Sequence, residues 1–393
     1  MDRRSFLTAG SGLAVAGVAA TALVPKPALA ARTGAPTVFD FGAVGDGNTD
    51  DSAAFAKALS WGAQNGGYVV VPPNTYAIRN TIGWWSSGDS FAQWGLLGQG
   101  ATLKSYITNG ADVISMNCYN TTRYFHLTGI SIQCNGSEGC GIHMSALSPN
   151  WYLGNFLIDS VSVERAGQHG ILFEGDVFEF TMSNSYFQDN KQNGCTLAQS
   201  HNGIISTVNI VNCFFSQNGN IGMACVNFDG QYGGPTDVRV YGGYARNNKS
   251  YGFYYNNGTG GAALHQCGFE NNCESLQPGD PNGAHVMSGV SVKMRDCFGY
   301  NQTGGATYLV RGWQMGPCVL DGCGQGADSA MAATGKSRLI QVNGNSNANI
   351  QMNGCSGGFD GVWGTGVKWT AVNCQGPSPW GNLNPSGTMS GTF

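Results

Sequence analysis

Short apolar runs with similar neighbours recur through the middle and C-terminal parts of the chain, at intervals of 19 to 32 residues. Ile130–Cys134 reads ISIQC, Ile210–Phe215 IVNCFF, Leu264–Phe269 LHQCGF, Met294–Gly299 MRDCFG and Met352–Gly357 MNGCSG. Aligned with their weaker copies, they place Ile130, Val161, Ser185, Cys213, Gly243, Cys267, Cys297, Cys323, Cys355 and Cys374 in one column. The spacing averages about 27 residues, which suits a solenoid whose turns each pack only on their neighbours. A second column follows five residues later, at Asn190, Asn218, Asn248 and Asn272. Asn tolerates left-handed backbone, and its amide can bond turns above and below, so this column predicts a structural ladder at a bend.

After that bend comes Gly and an alternating strand: GILFEG (Gly170–Gly175), GCTLAQ (Gly194–Gln199), GMACVN (Gly222–Asn227), GFYYNN (Gly252–Asn257) and a weaker GAHVMS (Gly283–Ser288). Alternation directs Ile171, Phe173, Cys195, Leu197, Met223, Cys225, Phe253 and Tyr255 inward. It directs Leu172, Thr196, Ala224, Tyr254 and His285 outward in a line. Three columns in register predict an all-β, single-stranded, right-handed parallel β-helix.

Composition narrows the function classes. Of 393 residues 61 are Gly, charged residues are 11% and hydrophobic residues 41%. That much Gly opposes a helical bundle, while the apolar content is ample for a core. Net charge is −4 and no basic stripe occurs, which argues against a nucleic-acid partner. The 13 Cys are odd in number and form no C-x-x-C pair, so neither a disulfide framework nor a zinc site is expected. Six of them stand in the first column, as small interior side chains.

Residues 1–30 read as an export signal: twin arginines in Arg3-Arg4-Ser5-Phe6-Leu7, a Gly/Ala-rich apolar stretch, then Ala28-Leu29-Ala30 as cleavage site. Cleavage leaves 16 basic and 22 acidic residues. The expectation is a protein folded before export by the twin-arginine route, periplasmic or extracellular, with no membrane association afterwards. Residues 31–393 then form the β-helix domain, with 39–82 as its N-terminal cap segment.

That segment carries a family resemblance. Phe39-Asp40-Phe41-Gly42-Ala43-Val44-Gly45-Asp46-Gly47-Asn48-Thr49-Asp50-Asp51, an Ala-rich helical stretch (Ser52–Ala63) and Gly66-Gly67-Tyr68-Val69-Val70-Val71-Pro72-Pro73 follow one another. The run resembles the opening of the pectate-lyase-like superfamily, with its rhamnogalacturonase- and polygalacturonase-related members and phage tailspikes. The resemblance implies a polysaccharide partner, and hydrolase, lyase, epimerase or binding roles. The residues themselves suggest capping: Thr49, Asp50 and Asp51 stand where acceptors satisfy free helix N–H groups, and the helix would close the open solenoid end.

In polygalacturonase relatives the catalytic carboxylates precede the strand after the Asn-type bend. Here those positions are Gln168-His169, Gln192-Asn193, Asn220-Ile221 and Ser250-Tyr251. Gly167-Gln168-His169-Gly170 echoes that family's Gly-His-Gly, but the paired aspartates, Asn-Thr-Asp and Arg-x-Lys are missing. Chemistry is expected instead on the loops after the strand, where Glu174, Asp176 and Glu179 stand on one turn, His201 on the next, and Asp229 and Tyr232 on the third. Turns stack about 4.8 Å apart, so such groups meet without sequence proximity. A polar line of Arg239, His265, Lys293, Arg295 and Asp321 suits the carboxylates of an acidic glycan, with solvated surface charge as the alternative. Trp84, Trp85, Trp94, Tyr232, Tyr254 and Trp313 are candidate sugar-stacking rings.

These features lead to an exported polysaccharide-active enzyme on an extended, acidic glycan. The candidate catalytic residues are Glu174, Asp176, His201, Asp229 and Tyr232; the candidate substrate-binding residues are His169, Arg239, Tyr254, His265, His285 and Arg295. A hydrolase would pair Glu174 or Asp176 with Asp229. A lyase would use His201 or Tyr232 as base, with Arg239 or a calcium ion neutralising the uronate. The alternatives are a non-catalytic β-helix that binds polysaccharide, and a polysaccharide epimerase.

Overall fold

Apolar positions alternating with polar ones build strands, and the repeat stacks those strands in parallel. The computed structural model describes residues 34–390, apart from 87, 91, 148–150, 201–202, 228–233, 257–260, 278–279, 281, 290, 303–304, 314–316, 328–337, 344–348, 358–367 and 375–387. Pro36–Phe393 is one unit. Its strands form two parallel sheets, a first of 24 strands and a second of ten. The chain is the parallel β-helix that the repeats predict.

One turn shows the construction. The first sheet takes Ile205–Val211 and Phe214–Ser216, and the second takes Met223–Asn227. Left-handed residues bend the chain between them: Asn212 (φ 51) lies between the two first-sheet strands, and Gln217 (φ 56) follows the second. The residue after the first bend is the Cys column. Cys213, Cys267, Cys297, Cys323, Cys355 and Cys374 are buried free thiols. Each donates to the carbonyl two residues back, across the left-handed residue, as Cys213 does to Val211 at 3.5 Å and Cys267 to His265 at 3.4 Å.

The Asn column is the expected ladder. Asn190 Nδ2 donates to Asn218 Oδ1 (3.0 Å), Asn218 to Asn248 (2.9 Å) and Asn248 to Asn272 (2.8 Å). The left-handed conformation, however, belongs to the residue before each rung: Asp189, Gln217, Asn247 and Asn271. The ladder residues contribute their buried amides, not their backbone tolerance.

The Ala-rich stretch forms the helix Ser52–Asn65, which buries Ala54, Phe55, Ala58, Leu59 and Gly62 at the end of the solenoid. Its capping differs in detail from expectation. Asp50 Oδ1 accepts from Ser52 N (3.0 Å), whereas Asp51 makes no side-chain cap bond and accepts from Val44 N (2.6 Å) and Gly45 N (3.3 Å). Asp46–Asp50 is a strand, with the Asp46 carboxylate folded back on Asn48 and Thr49. All three aspartates are structural, by different contacts.

Candidate active site on the second sheet

Outward side chains of the second sheet form rows that its register defines. Ser115, His143, Leu172, Thr196, Ala224, Tyr254 and Met287 make one row. Trp85, Asn117, Ser145, Glu174, Ala198 and Val226 make the next, two residues further along each strand. Met287 therefore takes the place that the alternating pattern gave to His285. His285 lies two residues earlier, fully buried, and its Nδ1 meets Asn272 Nδ2 at 3.1 Å as the last rung of the ladder. Burial pushes its pKa down to about 3, so it stays neutral. It is a core residue and does not reach a ligand.

The strongest charge cluster joins consecutive turns. His143 Nδ1 stands 3.0 Å from Asp112 Oδ2, and His143 Nε2 stands 3.2 Å from Glu174 Oε2. Asp112 comes from the segment leading into Ile114–Asn117, His143 from Ile142–Ala146 and Glu174 from Ile171–Gly175. Each group is fixed again from outside. Cys140 N donates to Asp112 Oδ1 (2.6 Å), and Ser200 Oγ, on the following turn, donates to Glu174 Oε1 (3.0 Å). All three side chains are about one-fifth exposed, so the array is held by the sheet yet open to solvent. Burial opposes charge on His143, but hydrogen bonds to Asp112 and Glu174 outweigh it and raise its pKa to about 9. An imidazolium thus sits between two carboxylates at neutral pH.

His169 stands on the approach to the Glu174 strand and is in the opposite state. It is nearly buried, and its Nδ1 lies 3.1 Å from Thr196 Oγ1, which itself accepts from Asn193 Nδ2 (2.9 Å). The Thr196 hydroxyl proton is therefore directed at Nδ1, which leaves the ring proton on Nε2. Burial first, and then the charged His143 nearby, lower its pKa to about 4. A cationic and a neutral histidine thus stand near one another on neighbouring turns, a separation of protonation states of the kind that acid–base sites use.

The loop expected to carry Glu174, Asp176 and Glu179 is a single residue: Asp176 joins Ile171–Gly175 of the second sheet to Val177–Ser183 of the first, which holds Glu179, and the Asp176 Oδ1 accepts from Ile204 N. Burial raises its pKa, against that hydrogen bond. His201, Asp229 and Tyr232 lie outside the described residues, as does the Trp313 side chain. Tyr254 is half-buried in the outward row and stacks on Tyr251 at 5.7 Å. Trp84 and Trp94 are buried against each other at 4.8 Å and offer no sugar platform, while Trp85 is exposed.

The polar line is two rows on the first sheet, apart from this array. Arg239 registers with Ala263 and Lys293, and Tyr241 with His265, Arg295 and Asp321. Arg239 pairs with Asp237 of its own strand (2.9 Å), and Arg295 reaches Asp321 at 3.5 Å. His265 stacks on Tyr241 (5.1 Å). Arg239 and Arg295 are thus already matched by carboxylates, and the register puts the whole line on a different sheet from Glu174. Among the described residues no three His, Cys, Asp or Glu side chains converge to hold a metal ion. Among those residues, too, no helix is long and apolar enough to cross a membrane.

Sequence reasoning missed Asp112 and His143. The signal was present: Gly141-Ile142-His143-Met144-Ser145 has the same Gly-plus-alternating form as Gly170–Gly175, one turn earlier. Extending the repeat back by that turn sets His143 beside Leu172 and Ser145 beside Glu174.

Solved structures share the fold. ORF18 of Geobacillus virus E2 superposes with a TM-score of 0.56 at 18% identity over 92% of this chain, which spans 62% of that protein. The A-module of the mannuronan C-5 epimerase AlgE6 of Azotobacter vinelandii gives 0.61 at 14% identity, over 88% of this chain and 100% of the module. PfbA, a surface adhesin of Streptococcus pneumoniae, gives 0.60 at 15% identity, over 92% and 93%. No curated protein matches the sequence. A family model described as rhamnogalacturonase A/epimerase, pectate lyase-like matches residues 37–275, well over half of the chain. With that match and the parallel β-helix it describes, the chain belongs to the rhamnogalacturonase A/epimerase, pectate-lyase-like family.

Proposed function

We propose that this is an exported enzyme that hydrolyses an extended, acidic polysaccharide lying across the second sheet. The observation that carries the reading is the Asp112–His143–Glu174 array, two carboxylates held on one imidazolium, each side chain about one-fifth exposed. With one positive and two negative groups it carries a net negative charge. Such a site stabilises the oxocarbenium-like transition state of glycoside cleavage. It is poorly suited to the developing enolate of uronate proton abstraction, which calls for cations or a metal. His143, being charged, is no base; it orients Glu174, which attacks the anomeric carbon or takes the proton of a water that does. Asp176, whose pKa burial raises, is the proton donor in this reading.

The family description and the epimerase module of the same fold support a polysaccharide as partner. The twin-arginine segment at residues 1–30 supports export. Glu174→Gln and Asp176→Asn keep the shapes and one acceptor oxygen each but remove the charge and the chemistry. In each, release of reducing ends from acidic polysaccharides should fall by at least about a hundredfold while the chains remain bound. Full activity in Glu174→Gln would refute the assignment. Ultraviolet absorbance from unsaturated uronates would mean a lyase, and altered uronate stereochemistry at constant chain length an epimerase.

One observation favours a second reading, a β-helix that binds polysaccharide without cleaving it: a surface adhesin shares the fold over nearly its whole length. Retained glycan affinity with no product after long incubation would establish it.

A further inference from the structure

The row that contains Glu174 runs back to the start of the solenoid and ends at Trp85. Register links Trp85 to Asn117, Asn117 to Ser145 and Ser145 to Glu174. Three strand spacings separate the ends, about 14 Å. The two positions between are polar and already joined, with the buried Ser145 Oγ donating to the half-buried Asn117 Oδ1 at 2.7 Å. Trp85 itself is 59% exposed, the most exposed of the described large apolar side chains.

Two features make that exposure a platform. First, Gly83 precedes Trp85 on the same strand face, and a Cβ built on Gly83 would come within 2.7 Å of the indole Cη2. The indole lies back over the bare backbone there, so its other face looks outward. Second, the capping helix faces it. Lys57, Ser60, Trp61 and Gln64 fall at the i, i+3, i+4 and i+7 positions of Ser52–Asn65, one side of a helix. With Phe41, which packs on Trp61 at 6.0 Å, and with Trp85, they line an open cleft of about 480 Å³. Lys57 makes no ion pair among the described residues.

Aromatic faces, an amide, a hydroxyl and an uncommitted cation at one cleft match a pyranose bearing a carboxylate. Resting on the groove reading above, we infer that this cleft is a distal subsite for a uronate unit, about three turns from the bond that Glu174 acts on. A chain passing over the row, from exposed Trp85 across buried Ser145 to Glu174, sets one sugar per turn, because a pyranose advances a chain by a distance similar to one strand spacing. The charged unit is thereby recognised at the cap, away from the anionic array.

Binding in the Glu174→Gln background tests this without requiring turnover. The probes are hexamers of galacturonate and of mannuronate, with cellohexaose as neutral control, measured by calorimetry or by tryptophan emission. The expected result is binding of at least one acidic hexamer, weakened at least about tenfold by Trp85→Ala and by Lys57→Met. Gly83→Ala, whose new methyl displaces the indole and leaves the core alone, should weaken it as well. Equal affinity in Trp85→Ala, or no affinity for either acidic hexamer, would overturn the subsite. Loss of catalysis alone would not, since an inactive protein that binds through Trp85 refutes only the hydrolase reading. Circular dichroism of each variant separates lost binding from lost fold.

Discussion

Replacing His143 by Gln removes the cation that holds Asp112 and Glu174 together, and the cost can be worked from its titration. The ring sits 3.0 and 3.2 Å from the two carboxylates, and its pKa stands at about 9 against an ordinary 6.5. At about 1.4 kcal/mol per pH unit, that difference corresponds to about 3 kcal/mol of folding stability. The folded value lies above the unfolded one. The contribution is therefore complete below about pH 6.5 and disappears as the pH rises through 9. His169 and His285 run the other way, since their lowered pKa values cost stability as the pH falls. Comparing the wild type with His143→Gln cancels His285 outright and most of His169, whose pKa the charged His143 helps to lower. Denaturant unfolding at about pH 6 should separate the two proteins by about 3 kcal/mol more than unfolding at about pH 10. Titration of the His143 ring proton by NMR gives the pKa directly. A midpoint near 6.5, or a stability gap that does not change with pH, would refute the ion array.

Asn218→Ala strips Asn190 Nδ2 and Phe187 O of their partners inside the ladder. Unfolding should become easier by about 2–4 kcal/mol, and an effect below about 0.5 kcal/mol would mean that the rungs are not coupled. All 13 thiols are free and buried, so a thiol reagent should find none in the native protein and all of them after denaturation in the absence of reductant. A lower count on denaturation would reveal disulfides. Replacing Arg3 and Arg4 by Lys should hold the protein inside the cell, whereas unchanged export would dismiss the twin-arginine reading.

The fold was legible because a solenoid repeats its constraints. Each Cys column member follows a left-handed residue, and each ladder Asn serves two neighbouring turns, so the same demand recurs along the chain. The site was only partly legible. Glu174 and Asp176 showed as charges in a chain with few charges, but Asp112, His143 and Glu174 stand on three different turns, each 31 positions from the next. Nothing local marks such a set; only the register of the second sheet unites it. His285 misled for a related reason. Its strand obeys the alternation, but the longer preceding loop moves the pairing by two residues, so Met287 takes the outward place. The cations of the first sheet looked like one line because spacing alone does not say which strand positions are in register.

The central claim is that the array on the second sheet cleaves glycan. Its most direct test is to incubate residues 31–393, wild type and Glu174→Gln side by side, with a panel of acidic and neutral polysaccharides. Reducing ends and ultraviolet absorbance are followed together. The account predicts that reducing ends rise with the wild type alone and that absorbance stays flat. Equal release by both proteins, or absorbance rising with the reducing ends, would contradict it.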